Sequence, residues 1–481
     1  MGKWKIPVLL LTVVLIPLCI YTVFQLIEHH AVLVYLLFIV FLNMGFSFWY
    51  LTVTKAQSFF SNPVAMFLLF MTLYTIIYPL DHVVGTLHHL SEDRMAYILQ
   101  VYIFANLCLI GGILMMMFVQ SMRKKHRMDR EQENNWQTSF APLKGDQDSY
   151  SAFDVLYWPA LLMLLLGTAV MIYDQMRLGG LSVIGVANRL SNFQAQRQME
   201  GISLPWKTIM TSAMLLMSLS IRKRTQYRLF IAITVILSVF FFFGLGSRGF
   251  LLTIFLPCLA VLIDRQYIRL TKWRQAVLMV LLIALLSPLF TNTRLAIIQG
   301  IPLSEIPEQS WAFSNGETGS SFMVSSDILT LTNYPEADAT YTTAFGYVLP
   351  SVVYQAITGH PKPMNLGDWY VWYLYPYIYA EGGGKGFSPL AQAWMNGGYA
   401  AIVAVYVIIG ICLAGASRSK YAKYLFLPLT MLFQRSSFHA IVTDLLYELL
   451  FIGIIVVLAA LMRPSNWRWL RSMRSNKHAM Q

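Results

Sequence analysis

The chain has 481 residues, of which 57% are hydrophobic and 12% are charged, and its formal net charge is +12. Soluble domains carry about 25% charged residues, so this composition excludes an ordinary soluble globular protein. The positive charge does not indicate nucleic-acid binding, because the lysines and arginines cluster in short segments between apolar runs and in the C-terminal tail.

Apolar runs recur along the chain, and a run of about 20 such residues crosses the hydrocarbon core of a bilayer as one helix. We predict an all-α, polytopic integral membrane protein with about 12 transmembrane helices, forming a single membrane domain over residues 1–481. The predicted spans cover residues 6–27, 31–53, 63–80, 97–119, 153–173, 207–221, 228–245, 249–264, 275–291, 396–416, 424–438 and 441–462.

The basic residues predict the orientation of these spans. Lys3 and Lys5 precede the first span, and every later basic cluster falls on the same side of the membrane as they do. Since lysine and arginine are enriched in cytoplasmic segments, both termini are predicted to be cytoplasmic. Residues 120–152 then form a cytoplasmic loop. Residues 292–395 form a large extracytoplasmic loop between the ninth and tenth spans, called the long loop below.

The long loop is the predicted catalytic region, because a transport pore has no obvious need for so large a polar segment. Its stretch Tyr341–Ile357 is apolar and aromatic, with Pro350 inside it, and is a candidate re-entrant or interfacial helix. Its stretch Trp369–Tyr379 is dense in tryptophan and tyrosine, which suits the headgroup zone.

Three arginines from distant parts of the chain lie at the edges of spans on the predicted outer side. Arg248 follows the glycine-rich turn Gly244–Ser247, Arg294 ends the ninth span, and Arg435 lies where the last two spans meet. Guanidinium groups bind phosphate bidentately and stay charged, so the three predict a diphosphate site. The alternative is that they anchor independently to lipid headgroups. Arg189, in the loop 174–206, is a weaker candidate for steering an anionic substrate.

The acids of the long loop include two that adjoin glycines, Glu317 and Glu381, and glycine lets the backbone approach a substrate closely. A carboxylate near an attacking hydroxyl can act as a general base, so both are predicted catalytic residues together with Arg248. The alternative for either glutamate is a solvated surface acid.

Lys385 and Ser388 are candidates for binding phosphate or sugar. His439 is included as a substrate-binding candidate, although a lone histidine is more often structural. No metal-binding motif stands in a convincing setting, so no metal site and no cofactor is predicted.

With these motifs, the chain resembles the Wzy-type oligosaccharide repeat unit polymerases of O-antigen and capsule pathways. The resemblance rests on the span pattern, the turn Gly246-Ser247-Arg248, the segment Glu317–Ser321, the stretch Gly384–Gly398 and Arg435. Gln392 departs from the family pattern, which often has glutamate at that place. The resemblance implies a multi-span fold of the glycosyltransferase C type. It also implies en bloc transfer of a glycan from polyprenyl diphosphate onto a lipid-linked repeat unit, without a nucleotide sugar.

The expected partners are the lipid-linked donor and acceptor, membrane lipids and, as a further candidate, a chain-length regulator protein, with no nucleic acid. The expected location is the bacterial cytoplasmic membrane, with the active site outside the cytoplasm. Two alternatives remain open at this point. An O-antigen-ligase-type enzyme would move the same donor onto another acceptor, and a lipid-linked-glycan transporter would carry out no transfer.

Overall fold

The computed structural model describes residues 31–56, 58–84, 90–134, 155–177, 205–241, 248–269, 319–380 and 384–462, together with parts of 271–314. The side chains of residues 124–134 and 248–251 lie outside this description. Within the described part of the chain the regular structure is helical and contains no strand. The prediction of an all-α fold is confirmed.

Three groups of helices follow one another along the chain. The first group is α1 (Ala31–Val53), α2 (Pro63–Val84), α3 (Glu92–Asn134), α4 (Tyr157–Arg177), α5 (Trp206–Ser220), α6 (Arg224–Val239) and α7 (Arg248–Asp264). The long loop contains 3₁₀ helices at Leu303–Glu305 and Tyr341–Val348 and the α-helices α8 (Gly319–Thr330), α9 (Ser351–Thr358), α10 (Leu366–Leu374) and α11 (Pro376–Ala380). The last group is α12 (Pro389–Ala416), α13 (Ala422–Leu432) and α14 (Phe438–Leu461).

Six helices in the described part are long and apolar enough to cross a membrane, namely α1, α2, α3 over Glu92–Arg123, α4, α12 and α14. Shorter apolar helices cover Leu252–Asp264 and Ala422–Leu432. These helices are those of an integral membrane protein. The predicted span 6–27 and most of the predicted span 275–291 lie outside the described residues, so the total of twelve spans stays a prediction.

Several boundaries differ from the predicted ones. Helix α3 continues to Asn134, so the first part of the predicted cytoplasmic loop 120–152 is helical. Helix α12 begins at Pro389, seven residues before the predicted span, because the Ser388 hydroxyl caps its first turn and proline suits that position. The predicted start coincides instead with an interruption of α12 at Gly397 and Gly398. Pro350 divides the stretch Tyr341–Ile357 into a 3₁₀ helix and α9.

Helices α3 and α12 pack closely against each other. A Cβ atom added at Gly112 would overlap the carbonyl oxygen of Val407, and one added at Gly410 would overlap that of Leu109. Both glycines therefore permit the two backbones to touch, as small residues do between membrane helices. This contact positions α12, and with it the long-loop segment that leads into α12.

Gly112→Ala is expected to destabilise the protein by about 1–3 kcal/mol, since a methyl group there forces the two backbones apart. The matched control is Gly111→Ala, because a Cβ atom at Gly111 meets nothing within 4 Å. Thermal unfolding of both variants in detergent provides the comparison. Equal melting temperatures for the two variants would show that the α3–α12 contact does not depend on this glycine.

Candidate active site

The residues before α12 and the turn between α13 and α14 lie directly against each other. The Phe387 backbone N–H donates to the Arg435 carbonyl oxygen at 2.9 Å. A Cβ atom at Gly386 would come within 2.7 Å of the same oxygen, so only glycine allows this approach. The structure thus brings together the Gly384–Gly398 stretch and Arg435, two of the features on which the resemblance rests.

Gln392 joins three segments of the chain. Its Oε1 accepts from the Phe438 backbone N–H at 2.7 Å, and its Nε2 donates to the Ala339 carbonyl oxygen at 3.1 Å. The same Nε2 lies 3.2 Å from Nδ1 of His439. The residue is fully buried. One amide therefore ties α12 to the long loop and to the first turn of α14, whose initial N–H groups have no partner within the helix.

The hydrogen bonds of Gln392 determine the tautomer of His439. Because Nε2 of the amide donates to Nδ1 of the imidazole, the ring proton is on Nε2 of the histidine. That nitrogen lies 2.8 Å from Oγ1 of Thr343, which in turn lies 3.0 Å from Oδ1 of Asp338. Both nitrogens of His439 have protein partners that hold the loop against α14, and its predicted contact with the substrate stays a prediction.

A second polar cluster surrounds the carboxylate of Asp327 on α8. Its Oδ2 accepts from the hydroxyls of Tyr370 at 2.6 Å and Tyr375 at 2.8 Å. Its Oδ1 lies 3.3 Å from Nη2 of Arg94, which also donates to the Ser326 carbonyl oxygen at 3.0 Å. This carboxylate therefore connects α3, α8 and the α10–α11 segment, and it belongs to the loop architecture.

Lys385 lies beside the Asp327 cluster. Its Nζ is 3.9 Å from the centre of the Tyr375 ring and 5.9 Å from that of Tyr370. Burial lowers the pKa of Lys385, and the charge of Asp327 acts in the opposite direction. Burial and the bond to Asp327 raise the pKa of Tyr375 to about 12, so its hydroxyl remains a donor at neutral pH. The ammonium group is thus held on an aromatic surface, a cation–π arrangement.

Ser388 is buried at the start of α12. Its Oγ accepts from the Ala391 backbone N–H at 3.5 Å and lies 2.7 Å from Oγ of Ser325. The Ser325 hydroxyl is also 2.8 Å from the hydroxyl of Tyr102 on α3. These contacts describe a helix cap within a hydroxyl cluster, while the predicted substrate contact of Ser388 stays a prediction.

A cavity of about 370 Å³ opens beside His439, between the loop and the first turns of α14. Its lining includes Tyr347, Lys362, Thr443 and Asp444. The Lys362 ammonium donates to the carbonyl oxygens of Tyr347 at 2.6 Å and Leu349 at 3.0 Å. The volume lies in the range of small-ligand sites, and several polar side chains stand among the apolar lining.

The side chains of five predicted site residues lie outside the described part of the chain. Arg248 begins α7, and its side chain lies outside the described part. Arg189, Arg294, Glu317 and Glu381 also lie outside it. Within the described residues no group of three or more His, Cys, Asp or Glu side chains could hold a metal ion. The roles of the predicted site residues therefore stay predictions.

Asp444 and Gln392 are two polar residues of this region that sequence reasoning did not assign to the site. Asp444 stands in the apolar run of α14, and a charge within such a run is a signal of function that could have identified it. Gln392 carries no comparable signal, since a glutamine at the edge of an apolar run is consistent with a solvated helix end.

The comparisons with known proteins give one result. A family model described as "O-antigen polysaccharide polymerase Wzy" matches residues 6–463. No significant match was found among curated proteins or among solved structures.

Gln392→Leu is expected to destabilise the protein by about 1–3 kcal/mol, because the Phe438 N–H and His439 Nδ1 lose their buried partner. Gln392→Glu should lie between this variant and the native protein, since a carboxylate still accepts from Phe438 but repels the Ala339 carbonyl oxygen. The control is Gln355→Leu on the exposed α9. Melting temperatures in detergent provide the measurement, and an unchanged value for Gln392→Leu would contradict the role of the amide.

Tyr370→Phe is expected to lower stability by about 2 kcal/mol, because it removes a hydrogen bond to the charged Asp327 carboxylate. Tyr373→Phe is the matched control. Tyr373 is 38% exposed and its ring stacks on Trp369, and in the described residues its hydroxyl makes no bond to Asp327. Thermal unfolding should separate the two variants. If both melt at the native temperature, the Asp327 cluster contributes nothing measurable to the fold.

Proposed function

Because the chain belongs to the O-antigen polysaccharide polymerase Wzy family, we propose that it extends O-antigen by transferring a growing glycan from polyprenyl diphosphate onto the next lipid-linked repeat unit. Family membership makes it an integral membrane polymerase of repeat units. The proposal adds the donor, the direction of growth and the location at the outer face of the bacterial cytoplasmic membrane. The observation that carries it is the family match over nearly the whole chain.

The proposed reaction is a single displacement. A hydroxyl oxygen on the terminal sugar of the acceptor attacks the anomeric carbon that joins the donor glycan to its diphosphate. The bond between that carbon and the diphosphate oxygen breaks, and its electron pair leaves with polyprenyl diphosphate. The hydroxyl proton passes to a base. No nucleotide sugar takes part, because the energy is already stored in the glycosyl diphosphate bond.

Arg248, Arg294 and Arg435 are proposed to bind the diphosphate and to stabilise its negative charge as it leaves. Preorganised charge of this kind is usually the largest catalytic contribution. Arg435 supports this assignment, because its backbone is held against Phe387 at the junction of the long loop with α12 and α14. Arg189, Lys385 and Ser388 are proposed substrate-binding residues, and Glu317 or Glu381 is the proposed base.

The direct test uses purified protein in lipid with a lipid-linked repeat unit and no nucleotide sugar. We expect release of polyprenyl diphosphate together with longer lipid-linked glycans. Glycan transferred to a different acceptor would identify a ligase instead. Movement of the substrate across the bilayer without release of diphosphate would identify a transporter.

Arg248→Ala is expected to reduce polymerisation about 100-fold or more, because one fixed positive charge is lost from the leaving diphosphate. Arg248→Lys should also be impaired, since lysine is a point charge and cannot bind two phosphate oxygens in parallel. The control is Arg123→Ala, an exposed arginine of the predicted cytoplasmic side. Native chain lengths from Arg248→Ala at normal expression would overturn the role of Arg248.

A further inference from the structure

The cavity at the start of α14 presents one face of that helix to the long loop. His439, Thr443 and Asp444 line it together with Ala440, and this spacing places all four on one side of an α-helix. Opposite them lie Tyr347 and the segment Lys362–Asn365. The walls thus come from parts of the chain that the Gln392 amide holds together.

Most polar groups of the cavity are already engaged by the protein. Both nitrogens of His439 have partners, and the Lys362 ammonium bonds two backbone carbonyl oxygens. The Tyr347 hydroxyl donates to the Met364 carbonyl oxygen at 2.8 Å. These groups shape the walls and have little capacity left for a ligand.

Asp444 differs from them. Among the described residues no side chain or backbone group donates a hydrogen bond to its carboxylate, although the positive charge of Lys207 on α5 interacts with it electrostatically. It is half-buried and borders the cavity. A carboxylate placed in an apolar helix without hydrogen-bond donors is costly, which points to a ligand that supplies them.

Two further groups retain bonding capacity. The Asn365 Oδ1 accepts from the Gly367 N–H at 3.2 Å. The Nδ2 hydrogens of the same amide can therefore donate to a ligand. The Thr443 hydroxyl donates to the His439 carbonyl oxygen at 2.9 Å, so its oxygen can still accept. The cavity therefore offers a neutral donor, a hydroxyl acceptor and a strong carboxylate acceptor.

The charges discriminate between possible ligands. One carboxylate and one ammonium line the cavity, and the ammonium is tied to the protein. A diphosphate would meet the negative charge of Asp444, whereas a neutral sugar can donate its hydroxyl hydrogens to a carboxylate. The mixed donors and acceptors beside an aromatic wall fit a polyhydroxylated ring of the size that the cavity admits.

We propose that this cavity binds the terminal sugar of the acceptor repeat unit, with Asp444 accepting hydrogen bonds from the sugar's hydroxyl groups. The inference rests on the proposed polymerase function and names the acceptor subsite of that reaction. It places this subsite next to the proposed diphosphate site, because Ser437 of the cavity lining follows Arg435 by two residues. Asp444 selects and orients the acceptor here, and the base remains a separate group.

The test separates acceptor binding from donor chemistry. Free repeat-unit oligosaccharide lacks the diphosphate and serves only as an acceptor, so it is varied against a fixed concentration of labelled lipid-linked donor. Only label that appears in lipid-free glycan is counted, because the lipid-linked donor can also act as an acceptor. Asp444→Asn should raise the KM for the free oligosaccharide about 10- to 100-fold, the effect of losing a charge-assisted hydrogen bond. The kcat at saturating oligosaccharide should change less than about threefold, because a uniform binding interaction is lost.

Glu305→Gln is the matched control, since it neutralises an exposed acid of the long loop away from the cavity. An unchanged KM in Asp444→Asn would overturn the acceptor subsite, as would a fall in kcat with unchanged KM. Inactivity of the native protein would overturn the proposed function instead.

A second measurement needs neither turnover nor a folded variant. Free repeat-unit oligosaccharide carrying a photoreactive diazirine on its terminal sugar is cross-linked to the native protein, and the labelled peptide is sequenced. We expect labelling within residues 437–444 that an excess of unmodified oligosaccharide prevents. Specific labelling confined to other segments, or the absence of competition, would overturn the subsite.

Discussion

The amide of Gln392 is the contact on which the organisation of this region depends. The first N–H groups of a helix have no partner within it, and at a buried helix end they must be satisfied by another part of the protein. Gln392 supplies an oxygen to the first turn of α14, and this determines which way its amide faces. Its NH₂ group then points at Ala339 and at His439. A single side chain thereby sets the position of the loop and the tautomer of the histidine.

This position is informative because the resemblance implies a glutamate there, whereas this chain has glutamine. A glutamate would offer two acceptors, so it could not donate to both the Ala339 carbonyl oxygen and the imidazole. The glutamine makes His439 a donor through Nε2, toward Thr343 and Asp338. The Gln392 amide thus makes structural contacts at this position, where a glutamate would present a carboxylate.

The membrane helices hold the long loop in position around Gln392. The glycine contact between α3 and α12 determines where the long loop enters α12, and the Asp327 cluster ties the loop to the start of α3. Both are close contacts that tolerate little displacement, since one is backbone against backbone and the other is a carboxylate with three donors.

The sequence by itself determined the class of the protein, its family and the approximate position of most helices. Helix α1 covers the predicted 31–53, and α5 differs from its predicted span by one residue at each end. Such agreement follows from the local nature of hydrophobicity, because an apolar run in lipid must satisfy its backbone within itself. A predicted boundary was wrong where a helix cap, and not the polarity of the sequence, determines the start of a helix, as at Ser388 before α12.

Only the tertiary structure decided which polar groups meet. Arg94 reaches Asp327 across more than two hundred residues, and Gln392 contacts both Ala339 and Phe438. Neither pairing follows from any local pattern, since each depends on how helices and loop pack against one another. For the same reason the sequence shows Asp444 only as an acid within an apolar run, and its place in the lining of a cavity follows from the fold alone.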